Sequence, residues 1–347
     1  MDEPADELLT GGGLPRWFQL VGVLAIVGVL AYLLATRVTG ESRPSAARPT
    51  PLPTDPVSPT PAFDPTRAYA VVVAGNSQWS VEGSRLIRSS PGDTTSIPLA
   101  FLQLPAKSRP ILALDAAHGV IWLVVANAVP TRMVGFDSRT LDAIHSATWR
   151  QVVDGAAAVN GYLYLASDSG VAELSPGATQ PHFISGLRGA LGPIAADPVG
   201  NQLVALDVSN PLAVWTYRHG ELPRQSELRL PISKGTVAVA GGNIWVGGFG
   251  VGGAVLFRLD PETLQPVAGG RAPEFGPGAV LVAGGRRVVW GRAGNGLSDL
   301  LVCLDASSGQ VEQRFHLFGD DIASTGGYAV LTTAQGVLNL ALDGCTG

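Results

Sequence analysis

The stretch TVAVAGGNIWVGG, residues 236–248, decides how this chain is read, because its pattern returns elsewhere. AVLVAGGRRVVWG stands at 279–291 and AVVVAGNSQWSVEG at 70–83. Each phrase is a small-and-branched run, a glycine turn and a second apolar run. With the second run as a marker, anchors fall at Trp79, Ile121, Leu163, Leu203, Ile244, Val288 and Ala329, spaced 42, 42, 40, 41, 44 and 41 residues apart. A glycine stands shortly before each anchor: Gly75, Gly119, Gly161, Gly200, Gly242, Gly285 and Gly327. Glycine suits a tight hairpin, where a positive φ carries no steric cost for it.

Working outward, each anchor is preceded by a run of small side chains such as GAAAV or TVAVA, which suits strands that converge on an axis. Each is followed by an apolar strand ending in an Asp-led turn, as in MVGFDSRT (133–140), VLFRLDPET (255–263) and LVCLDASSG (301–309). A more polar strand comes next, such as DAIHSATW (142–149) or VEQRFHL (311–317). Four strands per repeat at a fixed period of this length predict an all-β, seven-bladed β-propeller over residues 67–347. The physical reason is burial: a lone sheet of this kind leaves two apolar faces wet, and radial stacking covers both. The seventh repeat has room for only three strands before Gly347.

The phrases CLDASSGQVEQRF and RLDPETLQPV resemble the repeats of quinoprotein-like and YVTN-type propeller proteins. The resemblance implies a propeller built from a strand, an Asp-led turn and an outer strand. Quinoprotein enzymes carry Gly followed by Trp in this region. Here the matching stretch runs from Gln310 to Phe315, so no cofactor is expected.

Ahead of the repeats the composition changes twice. Residues 1–16 are a short tail, and WFQLVGVLAIVGVLAYLLA (17–35) contains no charge. At about 1.5 Å per residue this run spans roughly 28 Å, close to a bilayer's hydrocarbon core. It predicts a transmembrane helix over 17–36, preferred to a cleaved signal peptide because no small-residue cleavage site follows before Arg37. Residues 37–66 form a Pro/Ser/Thr-rich linker, with eight prolines between Glu41 and Thr66. Such a segment favours extended polyproline geometry and acts as a spacer. Arg16 precedes the span, while Arg37, Arg43 and Arg48 follow it. That count favours a cytoplasmic C-terminal part, but long domains translocate largely regardless of charge. The stalk favours an extracytoplasmic one, at the bacterial cell membrane.

Composition narrows the function classes. Apolar residues make up 46% of the chain and charged ones 15%, with a net charge of −5. A basic face for nucleic acid is not expected. The histidines His118, His145, His182, His219 and His316 fall on outer strands and turns and do not converge as metal ligands. No G-x-S-x-G appears, and GGFGVGG (247–253) lies between strands and not before a helix, so it reads as a wide hairpin loop. Trp122, Trp245, Trp290 and Tyr164 recur on the second strand and predict packing between blades. Cys303 and Cys345 are the only cysteines and are candidates for a disulfide in an exported domain.

One pattern points to a site. Ahead of the inner runs stand Arg67, Arg109, Arg150, Arg188, Lys234 and Arg271, while the last repeat places Asp320 and Asp321 there. On a propeller these cations predict a broken basic ring around one mouth, suited to an anionic ligand. The expectation is a single-pass, membrane-anchored binding or scaffolding module for a partner protein or an anionic envelope component. The alternative is a propeller enzyme: a lyase, a hydrolase or a quinoprotein-like enzyme.

Overall fold

The computed structural model describes residues 68–341, except for 75–76, 103, 105–107, 190, 208–211, 227–229, 273–278, 285–287, 295–299, 317–320, 326–327 and 334–335. The expected span at 17–36 and linker at 37–66 lie outside the described residues. Among the described residues no helix is long and apolar enough to cross a membrane. The helical content there is a single 3-10 turn, Ala100–Leu102.

Everything else regular is antiparallel β. Sheet 1 runs through Ala68–Ala74, Ser77–Glu82, Arg85–Ser90 and Asp93–Pro98. Sheet 2 follows with Arg109–Asp115, Val120–Ala126, Thr131–Asp137 and Ala143–Trp149. Sheet 3 comprises Gly155–Val159, Tyr162–Ser167, Gly170–Leu174 and His182–Arg188. Sheet 4 comprises Leu191–Asp197, Gln202–Asp207, Ala213–Tyr217 and Arg224–Gln225. Sheet 5 has Ile232–Ala240, Asn243–Gly250, Gly253–Leu259 and Pro266–Arg271, and sheet 6 has Ala279–Gly284, Val288–Gly294, Leu300–Asp305 and Val311–His316. Sheet 7 has three described strands, Asp321–Thr325, Tyr328–Thr333 and Gly336–Ala341. Each sheet is a meander whose strands pair in chain order. The first strand of every sheet lies beside the first strand of the next, and that of sheet 7 lies beside that of sheet 1. The arrangement is β-propeller-like.

The second strands show why the sheets must stack. Val120–Ala126 is buried along its whole length, and its side chains divide by parity. Ile121, Leu123 and Val125 pack with Trp79, Val81 and Leu86 of sheet 1. Trp122 and Val124 pack with Ala158, Leu163 and Leu165 of sheet 3. Sheet 4 repeats the scheme, with Leu203 and Ala205 toward sheet 3 and Val204 and Leu206 toward sheet 5. A strand covered on both faces reads as a continuous apolar run. Each Leu- or Val-sized side chain removed from water in this way contributes about 1.5–3 kcal/mol.

Gly75, Gly285 and Gly327 lie outside the described residues, and the other turns follow the glycine pattern with one correction. Gly119, Gly161 and Gly242 all have positive φ in their first–second turns. In sheet 4 the left-handed residue is Asn201, at φ 49°, and Gly200 is kept for space. A Cβ on Gly200 would lie 2.4 Å from Asp197 Oδ2, which accepts from Gln202 Nε2, while Oδ1 of that carboxylate accepts from the Val199 and Gly200 N–H groups. A second correction concerns GGFGVGG. Gly247, Gly248 and Gly250 belong to a strand, and the turn is only Val251–Gly252, a tight hairpin where a wide loop was expected. Cys303, buried in the third strand of sheet 6, is disulfide-bonded. The other cysteine, Cys345, lies outside the described residues.

Two glycines of sheet 3 give contrasting predictions. Gly170 has φ +130°, and a Cβ there would lie 2.2 Å from the Leu187 carbonyl oxygen, whereas Gly177 has φ +74° with nothing within 4 Å. Gly170→Ala is expected to cost roughly 3 kcal/mol or more, by strain and clash together. Gly177→Ala should cost about 1 kcal/mol from the left-handed backbone alone. Urea unfolding of both variants checks the difference, and equal losses would contradict the strand pairing at Gly170.

Candidate functional site

An antiparallel meander places its first–second and third–fourth turns at one end, here called lower. The second–third turns and the links to the next sheet fall at the other, upper end. Lower turns of successive sheets are hydrogen-bonded to one another. The Gly161 N–H donates to Asp115 at 2.5 Å, Arg218 to Glu262 at 3.2 Å, and Asn243 Nδ2 to the Ala306 carbonyl at 3.2 Å. The third–fourth turns are closed by aspartates. Asp137 accepts from the Arg139 and Thr140 N–H groups, and Asp260 does the same for Glu262 and Thr263. Asp305 accepts from both the hydroxyls and the N–H groups of Ser307 and Ser308, which pull its carboxyl down to about 2. Much of the polar chemistry at the lower end is thus spent on forming turns.

The upper end is different. Of the large apolar side chains left exposed, Phe101 (55%), Val129 (65%), Val152 (40%) and Val251 lie in upper turns or links, and Phe249 stands at the upper end of the second strand of sheet 5. The first three are gathered over sheet 2. Arg132 donates to the Leu102 carbonyl at 2.9 Å, tying the link that carries Phe101 to the third strand. The Thr131 hydroxyl lies 3.0 Å from the Ala128 carbonyl and 2.7 Å from that of Gln151, joining the Val129 turn to the Val152 link. Three separate segments are thereby tied to the start of the third strand of sheet 2. Beside it stands the exposed Arg150, with Asp154 a little further on, whose carboxyl is raised by burial and by the charge of Asp168.

The expected cations share this end but not one distance from the innermost strands. Arg109 opens the first strand of sheet 2, and Lys234 lies within the first strand of sheet 5. Arg188 and Arg271 close the outermost strands of sheets 3 and 5, and Arg150 directly follows that of sheet 2. Arg188 stacks its guanidinium on Phe183 of the same outer strand, 4.2 Å from the ring centroid. Arg67 lies outside the described residues. Offsets within each repeat vary, so sequence proximity to an inner run leaves each cation's distance from the axis unspecified.

Between sheets 3 and 4 the structure assembles a group that the sequence reading did not single out. Glu173, on the third strand of sheet 3, is fully buried. His219 Nδ1 lies 2.9 and 3.0 Å from its two oxygens, and the Tyr217 hydroxyl donates to it at 3.4 Å. His182 Nε2 stands 3.8 Å away. Tyr162 stacks on His219 with centroids 4.0 Å apart, and Tyr164 meets Tyr217 edge-on at 5.9 Å. Burial first, and then the Glu173 charge, push both the Tyr164 and Tyr217 phenols upward. The group joins two sheets through a carboxylate whose partners come from both. Among the described residues no set of three or more His, Cys, Asp or Glu side chains is placed to hold a metal ion. In sequence Glu173 looks like one polar letter in GVAELSPG (170–177). Only the pairing of Tyr164 with Glu173, and of Glu173 with His182, reveals the row.

Comparison with known proteins supports the fold alone. The chain matches no protein-family profile and no curated protein. Among solved structures it is similar to PorZ, an essential bacterial surface component of the type-IX secretion system of Porphyromonas gingivalis, with 9% identity and a TM-score of 0.57. That match covers 80% of this chain and 37% of PorZ, so the chain spans well under half of that protein. Hydrazine synthase of Kuenenia stuttgartiensis is similar at 12% identity and a TM-score of 0.56, covering 83% of this chain and 99% of that one. The computationally designed protein Ika8 matches at 12% identity and a TM-score of 0.53, covering 81% and 98%. PorZ and hydrazine synthase are β-propeller-like, as this chain is.

The Glu173 group makes two predictions. Glu173→Ala leaves His219 and the phenols without their acceptor and is expected to cost about 3 kcal/mol in urea unfolding. Glu173→Gln, which keeps the shape and an acceptor oxygen, should cost less. The raised phenols also bear on alkaline stability. The folded chain holds these protons more tightly than the unfolded one, so their contribution is complete below the ordinary tyrosine value of 10 and falls as pH rises above it. Tyr164→Phe should flatten that alkaline limb in thermal melts. An unchanged limb would contradict the assignment.

Proposed function

We propose that residues 67–347 form a seven-bladed β-propeller that acts as a binding and scaffolding module on the outer side of a bacterial membrane. Residues 17–36 serve as the anchor and 37–66 as the stalk. The partner is a protein that docks on the upper end over sheets 1 to 3. The observation that carries this reading is the surface made by Phe101, Val129 and Val152, three exposed apolar side chains whose separate segments are fastened together. Exposed apolar residues grouped in this way mark interaction sites more often than scattered ones do. Arginine and aromatic side chains are the residues that protein interfaces are enriched in. Arg109, Arg150 and Arg188 give the surface a basic margin that suits an acidic rim on the partner. The likeness to PorZ, described as a bacterial surface component, agrees with this role in kind.

Replacing Phe101, Val129 and Val152 together by Asp is expected to abolish co-purification of the partner with the full-length protein from mild detergent, leaving the thermal midpoint nearly unchanged. Val199→Asp with Leu222→Asp, at exposed apolar positions of the lower end, should leave capture intact. Loss in the second variant and retention in the first would reverse the assignment.

A further inference from the structure

Sheets 1 and 5 place the same two residues at equivalent positions. A tryptophan on the second strand is paired with an arginine on the third: Trp79 with Arg88, and Trp245 with Arg258. Each tryptophan reaches the third–fourth turn of the following sheet at the lower end. Within one molecule the two pairs can be compared directly.

In sheet 1 the indole and one terminal guanidinium nitrogen find carbonyl acceptors. Trp79 Nε1 donates to the Ser138 carbonyl at 3.0 Å, and Arg88 donates to the Arg139 carbonyl in the same turn. Arg88 retains one unpaired nitrogen, Nε, but its charge is matched by Asp93. In sheet 5 the corresponding donors find no partner among the described residues. Trp245 Nε1, Arg258 Nε and Arg258 Nη1 are all buried without a hydrogen-bond partner. The guanidinium carbon of Arg258 lies over the face of the Trp245 ring, 5.8 Å from its centroid, a contact that leaves its N–H groups and the in-plane indole N–H unpaired, and Trp245 itself is 2% exposed.

Neighbouring residues explain the difference. The carbonyl of Ala306, which occupies the place of Ser138 in the next turn, accepts from Asn243 Nδ2 and not from Trp245. Asp305 is turned into its own loop, holding Ser307 and Ser308. Across the strand Arg258 faces Ala268, where Arg88 faces Thr95. Glu262, the acid at the nearby third–fourth turn of sheet 5, is engaged by Arg218 and Arg224. The joint between sheets 5 and 6 therefore holds one positive charge and three buried donors with no acceptor supplied by the described residues. Buried donors are paired in native proteins, and an orphan group signals a missing water or ion. A cation among the donors favours an anion over water.

We infer that Trp245 and Arg258 form a binding site for a small oxyanion or a ligand carboxylate between sheets 5 and 6. It lies at the opposite end from the proposed docking surface and does not depend on it. The indole N–H and the guanidinium donate to the anion's oxygens, and the partly exposed side of Arg258 opens the way from solvent.

The test is calorimetric titration of the full-length protein in detergent with sodium acetate and, separately, sodium phosphate, with chloride holding the ionic strength constant. Saturable binding of one anion is expected, and the anion that saturates identifies a carboxylate or a phosphoryl oxyanion as the ligand chemistry. Arg258→Gln should weaken it at least about tenfold, whereas Arg88→Gln, at the site already filled by carbonyls, should leave it unchanged. If Arg258→Gln does not fold, Trp245→Phe removes a single donor and should weaken binding several-fold. Absence of saturation with both anions, or equal affinity in the sheet 5 variants, overturns the site.

Discussion

A four-stranded meander with apolar side chains on both faces cannot be stable alone in water. Every other feature of this protein depends on how that constraint is met. Leu123 and Val124 are neighbours in sequence, yet one is buried against sheet 1 and the other against sheet 3. Among the described residues the burial is divided and not gathered into a single core. The apolar clusters lie between successive sheets instead, each made half by one sheet and half by the next. The small side chains of strands such as Gly155–Val159 let the first strands approach each other, and from sheet 1 to sheet 7 these strands return to their starting point.

The joints share a geometry but differ in chemistry. Trp79 fastens sheet 1 to the Ser138 carbonyl of sheet 2. In sheet 2 the third strand supplies Gly135, so Trp122 can stack on His145 across it, with centroids 5.5 Å apart. A Cβ at Gly135 would come within 3.3 Å of both rings. Sheet 3 places Tyr164 and the buried Glu173 in the same row and completes it with Tyr217 and His219 of sheet 4. In sheet 4 the aromatic moves to the third strand as Trp215, opposite Ala205. Sheet 5 has the tryptophan–arginine pair with unmet donors. A repeat that tolerates Arg, Gly, Glu or Trp at one position has room to acquire binding chemistry between its sheets without changing its frame.

Much of the frame was legible in the sequence. All seven anchors, from Trp79 to Ala329, lie on second strands, and His145, His182 and His316 lie on fourth strands as expected. Such features repeat because each strand meets the same local demand, alternation along the strand and a left-handed turn at its end. Features set by partners far away in sequence were not legible. Glu173 and His219 are 46 residues apart, and nothing local marks either as special. The surface over sheet 2 depends on Thr131 reaching Gln151 and Arg132 reaching Leu102, contacts invisible before the strands are paired. The expected basic ring shows the same limit, since Arg109 begins an inner strand and Arg188 ends an outer one. Local pattern can also mislead in small ways. Asn201 takes the left-handed turn position that Gly200 was expected to fill, and the glycine-rich 247–253 stretch is two strand ends joined by a tight turn.

The central claim is that sheet-on-sheet burial closes the chain upon itself. A crystal structure of the full-length protein tests it most directly. The account predicts the first strand of sheet 7 alongside the first strand of sheet 1, with Trp79, Trp122, Tyr164 and Trp245 each buried against the following sheet. An open arc of sheets, or two separately stacked sandwiches with these aromatics in solvent, would contradict it.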